Sequence, residues 1–493
     1  MTQHYDVIVV GAGTAGIPAA GFAAQRGARV LLVEAGDRIG GTLFLSGGNM
    51  SAGGTRVQAA KGIDDSPDRH YDDIMRISRA SADPTMVRLA VDNAPDTIHW
   101  LLDIGFEMLP EMPVINYGHE AYSVPRTYWG PKLGVSVLEA IGPWLQESID
   151  SGQVSLQLNT KLAGLRQNAN GDVVGAVLKG PDGVHRVVHA DTYVLTTGGY
   201  TGNRGLFPML NAGHPLYPLG NDTSLGEGIV IGTGAGSYVR GGDMLMPTFG
   251  GVEDPTRPGY YKGGICNLTP QYRQPWEIYV NLEGERFVCE DTESVDARER
   301  ALLEQTDLRF WVVFDQTIKD RSPSIISEWP DNPYRGGEAP ARGAIYDSAF
   351  DGHPDFFRAD SLADLAKQTG IDAAALAQSV AAFNQGVENG TDPLGRKHHP
   401  LPIQTPPFYA IRNHGTAVKS YAGIAVDDNL RVLDRNDKPI GNLYAAGEVI
   451  GGGVLTGNSF CGGMSVTPAL TFGRLLGDRI LQWRRNEAEA AAE

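Results

Sequence analysis

The chain has 493 residues, of which 42% are hydrophobic, and this is enough for two domains with substantial apolar cores. Lys and Arg number 41 against 58 Asp and Glu, and the formal charge of −17 argues against binding to nucleic-acid phosphates or an anionic membrane surface. The 3 cysteines lack metal-ligand spacing, so we expect neither a disulfide framework nor a metal site. Since we find no run of about 18 apolar residues and no leader pattern before the first strand, we expect no membrane span and a cytoplasmic location.

The start of the chain predicts a complete βαβ unit. Residues 6–10 form an apolar run typical of a buried parallel strand, and Gly11, Gly13 and Gly16 follow with the spacing G-x-G-x-x-G. Gly11 permits the tight turn, Gly13 lets a pyrophosphate approach the helix N-terminus, and Gly16 lets the helix pack closely on the strand. Glu34 ends the second strand, where a carboxylate can accept hydrogen bonds from ribose hydroxyls. We therefore predict a dinucleotide-binding site here.

The elements that follow can be predicted from apolar spacing and turn residues. A second glycine-rich loop spans residues 36–54 and carries the hydroxyls of Thr42 and Ser46. The predicted helices are 69–106, 133–150, one within 223–236, 373–386 and 467–484. The predicted strands are 154–158, 173–178, 184–188, 191–200, those within 423–434, and 442–446.

Residues 243–412 differ in composition from the rest of the chain. Pro, Trp and Tyr become frequent there and the periodicity is broken, whereas glycine-rich strand and helix patterns return after residue 412. A segment of this length is too long for a loop. We predict a second domain over 243–412, inserted between two parts of a nucleotide-binding domain, 1–242 and 413–493.

The family resemblance depends on motifs spread in order over nearly the whole chain. They are DVIVVGAGTAG, SGGN, VLTTGG, SLGEGIVIGTGAG, EIYVNLEGERFVCE, PPFYAI, GNLYAAGEV and a closing GG followed by FGR. Together they resemble the flavoprotein family of soluble fumarate reductases, L-aspartate oxidases and 3-ketosteroid dehydrogenases. The resemblance implies an α/β fold: a Rossmann-like FAD-binding domain with an inserted α+β capping domain. Substrate would lie between the flavin ring and this cap.

The resemblance also implies which residues bind FAD. Membrane-bound relatives tether FAD through a histidine in the second glycine loop, and since residues 40–48 contain none, we predict non-covalent FAD. The implied FAD-binding residues are Gly11, Gly13, Gly16, Glu34, Thr42, Ser46, Gly47, Gly48, Thr197, Gly198, Gly199, Glu448, Gly463, Ser465 and Val466.

The fumarate reductases of this family hold a dicarboxylate with two histidines and two arginines. The matching positions here are Met246, Ser294, Tyr421 and Phe460. Arg298 and Arg300 are alternatives to Ser294, because that placement can slip by several residues. Losing charge-assisted hydrogen bonds worth about 1.5–3 kcal/mol each makes a dicarboxylate substrate improbable.

The resemblance to the ketosteroid dehydrogenases implies desaturation of a cyclic ketone, either a 3-ketosteroid or a smaller oxocyclohexane. A hydride would go to flavin N5 and the α-proton to a tyrosine. The candidates for this tyrosine are Tyr421 first, then Tyr117, Tyr122 and Tyr128. The backbone N–H of Gly462 would hold the ketone oxygen, which becomes negative as the α-proton leaves. Further substrate-binding candidates are Arg126, Tyr128, Met246, Ser294, Asn458 and Phe460; Asn458 replaces a family tyrosine, and Arg126 would serve a carboxylate-bearing substrate.

Two other functions stay open from the sequence. One is the reverse chemistry, an enoate reductase of the fumarate or urocanate type. The other is a flavoprotein that binds FAD without turnover. Because there is one dinucleotide fingerprint and no second one for NAD(P)H, we expect oxygen, a quinone or another acceptor to reoxidise the flavin of a desaturase.

Overall fold

The computed structural model describes residues 4–219, 222–263, 266–326 and 348–490. Its largest sheet has six strands, which are parallel except for the first, antiparallel to its neighbour. In spatial order they are Arg431–Leu433, Pro439–Ala445, Ala190–Leu195, Tyr5–Val10, Val30–Val33 and Val154–Gln157. Both ends of the chain therefore build one sheet.

Near-continuous apolar sequence explains the middle of this sheet, because parallel strands are covered on both faces. Every residue of Val30–Val33 is buried, and helix Gly16–Gln25 packs between the sheet and the long helix Val466–Ala490. Other helices of this part are Arg56–Ala60, Pro67–Ile77, Pro84–Asp103, Gly134–Asp150, Leu206–Leu210, Glu227–Gly234 and Gly453–Thr456, with single 3₁₀ turns at Gly41–Phe44 and Gly447–Ile450.

Smaller sheets complete this part of the molecule. Three antiparallel strands, Lys161–Gln167, Val173–Lys179 and His185–Val188, form one of them. Two short antiparallel pairs are Met50–Ser51 with Thr127–Tyr128, and Val239–Arg240 with Gly423–Ile424.

The inserted segment forms an antiparallel sheet of its own. In spatial order its strands are Ile278–Val280, Arg309–Asp315, Phe408–His414 and Phe356–Ala359, and a separate pair is Gly251–Glu253 with Tyr261–Gly263. Its helices are Val295–Leu303, Gln316–Arg321, Leu362–Thr369 and Ala373–Asn389, with a 3₁₀ turn at Thr306–Leu308.

Buried apolar side chains form two clusters. One draws on residues 5–246 and 417–480, and the other lies within 252–411. The predicted α/β class with an inserted cap is therefore confirmed. The exact boundaries at residues 242 and 412 stay predictions, which the two cores support.

Several elements differ from the sequence prediction, and two of them lie in the FAD-binding part. The predicted helix over 69–106 is two helices, because Arg79 and Ala80 have positive φ and Asp83 caps a new helix that starts at Pro84. Strand Lys161–Gln167 was not predicted, since its many exposed positions leave little apolar pattern to detect. Across the described ranges, no helix has the combined length and apolarity needed to cross a bilayer.

Candidate flavin and substrate site

A cavity of about 590 Å³ lies where the parallel strands of the six-stranded sheet end. The turns that follow four of its strands contribute to the wall. They lie at residues 11–15, 34–36, 196–198 and 447–448. Ligands of open α/β sheets bind at this edge, where the first helix also presents its unpaired N–H groups.

Three glycines of the first turn have different surroundings. A Cβ on Gly16 would lie 1.7 Å from the carbonyl oxygen of Gly11, and one on Gly11, whose φ is +106°, would lie 2.3 Å from that of Thr196. The nearest atom to a Cβ on Gly13 is 4.0 Å away, at Gly41. Gly11 and Gly16 thus allow close packing of the protein itself, whereas the Gly13 backbone is open to the cavity.

Two glutamates are fixed on the cavity wall. Glu34 accepts hydrogen bonds from the backbone N–H groups of Ala12 (2.8 Å) and Gly36 (2.7 Å), one on each carboxylate oxygen. Glu448 accepts one from the N–H of Ser420 at 2.7 Å, and burial raises its pKa. Anchored carboxylates of this kind can accept further hydrogen bonds from ligand hydroxyls.

The Thr197 side chain gives a further test of whether this cavity fits FAD. Its Oγ1 is buried and has no hydrogen-bond partner among the described residues, although Thr197 lies on the cavity wall. Buried hydroxyls nearly always have partners, so a ligand group is expected here. The wall also includes Ser465 and Val466 at the N-terminus of the long last helix, which attracts negative charge. These features fit a dinucleotide.

Most residues predicted to bind FAD lie on the cavity wall. These are Gly11, Gly13, Glu34, Thr42, Ser46, Gly47, Thr197, Gly198, Glu448, Gly463, Ser465 and Val466. Gly16, Gly48 and Gly199 lie behind the wall instead. A Cβ on Gly48 would meet the backbone of Leu133 at 2.4 Å, and one on Gly199 would meet Ser420 Oγ at 2.0 Å, so these two glycines allow protein packing.

The end of the cavity beside Phe460 carries two polar side chains that sequence reasoning missed. The imidazole of His119 stacks on the Phe460 ring with centroids 3.5 Å apart, and the ammonium of Lys419 lies 4.5 Å from the same ring. His119, Lys419, Phe460 and Gly462 all line the cavity. Lys419 stands two residues before Tyr421, so the motif that led to Tyr421 contained the signal.

Lys419 is a buried cation. The residue is 4% exposed and its Nζ donates to Thr456 Oγ1 at 2.9 Å. Burial lowers the pKa of Lys419 to about 8, and the nearby Cys461, Glu448 and Glu299 oppose this decrease. Lys419 therefore remains mainly protonated at pH 7.

The four candidate tyrosines do not line the cavity. The hydroxyl of Tyr421 lies 3.4 Å from the carbonyl oxygen of Ser459, and that of Tyr122 donates to the carbonyl oxygen of Gly462 at 2.6 Å. Tyr128 pairs with Thr55 Oγ1 at 2.7 Å, and Tyr117 packs edge-on against Tyr272. Burial raises the pKa values of Tyr421, Tyr122 and Tyr128, which disfavours a phenolate base. The expectation that one of these tyrosines accepts the α-proton is therefore corrected, since their hydroxyls do not line the cavity.

Arg126 does not serve as the cavity cation. It is fully buried away from the wall and pairs with Asp65 at 2.9 Å and Asp73 at 3.2 Å. Two carboxylates hold this guanidinium inside the protein, so its role here is structural.

Three predicted substrate-binding residues also lie off the wall. Met246 is buried in the core. Ser294 caps helix Val295–Leu303 and donates to Glu120 Oε2 at 2.9 Å. Asn458 Oδ1 accepts from Ser81 Oγ at 3.0 Å and from Arg300 at 2.9 Å.

The two alternative arginines lie off the wall as well. Arg298 donates to the carbonyl oxygen of Leu268, and Arg300 binds Asp296 at 2.8 Å as well as Asn458 and Ser459. Both are engaged in protein contacts.

Fold and site together define a flavin-dependent oxidoreductase, and the comparisons identify the family. The chain belongs to the FAD binding domain family, whose sequence model matches residues 6–465. Fumarate reductase (cytochrome) of Shewanella frigidimarina is 30% identical over 485 residues, covering 97% of this chain and 77% of that protein. Vinyl phenol reductase of Lactiplantibacillus plantarum is 28% identical over 470 residues, covering 93% and 92%.

A solved structure shows the same fold over the whole length. The 3-ketosteroid delta1-dehydrogenase of Sterolibacterium denitrificans, in complex with 1,4-androstadiene-3,17-dione, gives a TM-score of 0.75 at 22% identity, covering 98% of this chain and 100% of that one. The predicted flavoprotein family and its cofactor FAD are thus confirmed. The chain is an FAD-dependent oxidoreductase whose relatives act on C=C or CH–CH groups. That the FAD is bound non-covalently stays a prediction.

Proposed function

We propose that this enzyme reduces a carbon–carbon double bond conjugated with a single carboxylate or ketone, and that Lys419 binds the oxygen of that group. The observation that carries the proposal is the buried ammonium of Lys419 on the cavity wall. The other lysine on the described wall, Lys161, is paired with Glu227 at 3.8 Å and has a side chain that is 55% exposed. Of these two lysines on the wall, Lys419 is therefore the one better shielded from water.

The chemistry explains why a cation is needed there. FAD held by this wall would, when reduced, supply a hydride for the β-carbon of the substrate. Negative charge then develops on the conjugated oxygen, and an ammonium in a water-poor site stabilises that charge strongly. Lys419 is held for this role by Thr456 and by the faces of the Phe460 and Tyr421 rings, 4.5 and 4.8 Å away.

The composition of the wall favours a substrate with one polar group. Ile450, Leu455 and Phe460 supply apolar surface to the wall, whereas the positions matched to the dicarboxylate-binding residues hold no arginine. A dicarboxylate would leave its second carboxylate without a charged partner, which is expensive in a buried site. The relatives named fumarate reductase and vinyl phenol reductase both reduce double bonds, which supports the direction of the reaction.

Desaturation of a cyclic ketone, with oxygen or a quinone as acceptor, is the second candidate. The apolar wall and Gly462 favour it: Gly462 lies on the wall, and a Cβ there would meet open space, so a ring could come close to its backbone. It requires another base than the tyrosines expected from the sequence, since their hydroxyls do not line the cavity.

An anaerobic flavin assay tests both candidates. The FAD-loaded protein is reduced with dithionite and mixed with acrylate, cinnamate, cyclohexenone or fumarate, and the return of oxidised-flavin absorbance is followed. In parallel, the oxidised protein is mixed with saturated cyclic ketones and its bleaching is followed. We expect reoxidation by the monocarboxylates or the enone, and loss of at least 100-fold in rate for Lys419→Met with Lys161→Met unaffected.

The outcomes separate the candidates. Bleaching by ketones without reoxidation by the unsaturated compounds would favour the desaturase. Reoxidation by fumarate alone, or full activity in Lys419→Met, would refute the proposal.

A further inference from the structure

The segment that carries His119 is fixed along the glycine loop of the cavity wall. Glu120 forms a parallel β-bridge with Cys461, and the Tyr122 hydroxyl donates to the carbonyl oxygen of Gly462 at 2.6 Å. The His119 ring lies on Phe460 with an interplanar angle of 19°. These three contacts hold the imidazole at the end of the cavity where Lys419 lies.

The other side of His119 faces the cap. Its Nδ1 lies 3.3 Å from Oε1 of Glu299, in helix Val295–Leu303. The start of the same helix is fixed to the His119 segment, because Glu120 Oε2 accepts from Ser294 Oγ and from the N–H of Asp296 at 2.9 and 3.1 Å. Since Nδ1 is directed to Glu299, Nε2 is the ring nitrogen left to serve a bound substrate.

Glu299 is unusual for a buried carboxyl group. Its side chain is 2% exposed, and Oε2 has no hydrogen-bond partner among the described residues. Burial raises the pKa of Glu299, opposed by His119 and Arg298. The other ionisable groups that face it are Asp296, Lys419 and Tyr421. A carboxyl group in these surroundings can hold a proton.

We propose that His119 Nε2 donates the proton that the substrate's α-carbon receives, and that Glu299 positions His119 and resupplies its proton. This inference rests on the proposed function. The Nε2–H bond breaks as the Cα–H bond forms, and the Glu299 O–H bond breaks as an Nδ1–H bond forms. The carbanion electron pair left by hydride addition makes the new Cα–H bond, and Glu299 ends as a carboxylate. After the product leaves, Nε2 takes a proton from solvent through the cavity and the Nδ1–H returns its proton to Glu299, which restores the starting pair.

This proton transfer depends on residues from both parts of the molecule. His119 belongs to the FAD-binding part and Glu299 to the inserted cap, so the donor pair exists only with the cap seated on the cavity. In the reverse direction the same pair would accept the α-proton, as microscopic reversibility requires.

The test uses the reduced holoenzyme and the unsaturated compound that reoxidises the wild type best. We expect His119→Gln to slow reoxidation by about 10²–10⁴-fold, while the Kd of the saturated product, read from its perturbation of the flavin spectrum, changes by less than threefold. The matched control His214→Gln, at a half-buried histidine off the wall, keeps the wild-type rate.

Glu299→Gln tests the positioning role. We expect at least a tenfold slower rate and a weaker fall of rate with rising pH, with partial recovery in Glu299→Asp. Glu304→Gln, at the exposed end of the same helix, leaves rate and pH profile unchanged.

Each failure has its own signature. If no unsaturated compound reoxidises the wild type, the proposed function falls. If the wild type reacts but the reoxidation rate of His119→Gln stays within threefold of the wild-type rate, or decreases only in proportion to the affinity for the product, the proton-donor role of His119 is refuted and the proposed function is not. An unchanged pH profile in Glu299→Gln removes Glu299 from the mechanism.

Discussion

Replacing Lys419 by Met should stabilise the folded protein while it removes activity. Burial lowers the pKa of Lys419 from 10.5 to about 8. With about 1.4 kcal/mol for each pKa unit, keeping this ammonium buried costs the fold roughly 3 kcal/mol at neutral pH. Methionine keeps the apolar stem, and Thr456 Oγ1 retains its hydrogen bond to the carbonyl oxygen of Gly452.

The pH dependence of the stability gained in Lys419→Met identifies its cause. Below about pH 8 the lysine is protonated in both the folded and unfolded states, so the full penalty is present. Between about 8 and 10.5 the unfolded chain binds more protons than the folded one, and the stability of the wild type rises with pH. The advantage of Lys419→Met should therefore shrink over this window and disappear above it.

Thermal unfolding of the FAD-loaded proteins from pH 6.5 to 10.5 measures the difference. Lys419→Arg keeps the charge and should not be more stable than the wild type. Lys161→Met, at a lysine whose side chain is 55% exposed, should differ little from the wild type in stability. A Lys419→Met protein that is less stable than the wild type at pH 7, or whose advantage does not change with pH, would refute the reasoning.

Four further substitutions separate cofactor contacts, packing and catalysis. Gly13→Ala should fold, because its Cβ meets no protein atom closer than 4.0 Å, but it should bind FAD poorly, because the methyl group occupies the cavity side of the turn. Gly16→Ala should fail to fold, because its Cβ would lie 1.7 Å from a carbonyl oxygen. Circular dichroism measures folding, and the 450 nm absorbance per protein measures bound FAD. Tyr421→Phe should keep its turnover within about threefold, since the hydroxyl faces a backbone carbonyl and not the cavity, and steady-state kinetics would show otherwise if it were a base. Arg126→Met should lower the free energy of unfolding by about 3–5 kcal/mol without a selective increase in KM, because it leaves the buried Asp65 without its cation, although Asp73 keeps Arg76 at 2.8 Å; denaturant unfolding checks this.

The nucleotide-binding part could be predicted because its signals are local. The strand, Gly11, Gly13 and Gly16, and the acid at Glu34 lie within one stretch, and the backbone they require leaves few alternatives. The roles of Gly48 and Gly199 were more difficult to predict. A glycine that admits a ligand and one that admits a neighbouring backbone look the same in sequence, and the structure assigns these two to protein packing.

The substrate end could not be predicted in the same way. Tyr421 and Lys419 are two residues apart, and a motif match alone did not decide which of them reaches the cavity. His119 and Glu299 are 180 residues apart and meet only because the cap helix Val295–Leu303 lies on the segment that carries His119. The sequence alone does not show whether Arg126 is paired or available to a ligand, because its partners Asp65 and Asp73 are contributed by other elements.

The six-stranded sheet also determines when the protein can mature. Strand Ala190–Leu195 pairs with Pro439–Ala445, which leaves the ribosome about 240 residues later, after the entire cap. At about 5–20 residues per second, that strand edge waits for roughly ten seconds to a minute with its hydrogen bonds unpaired. Glu448 is translated later still, so the nascent chain must complete the cap before it can enclose its flavin.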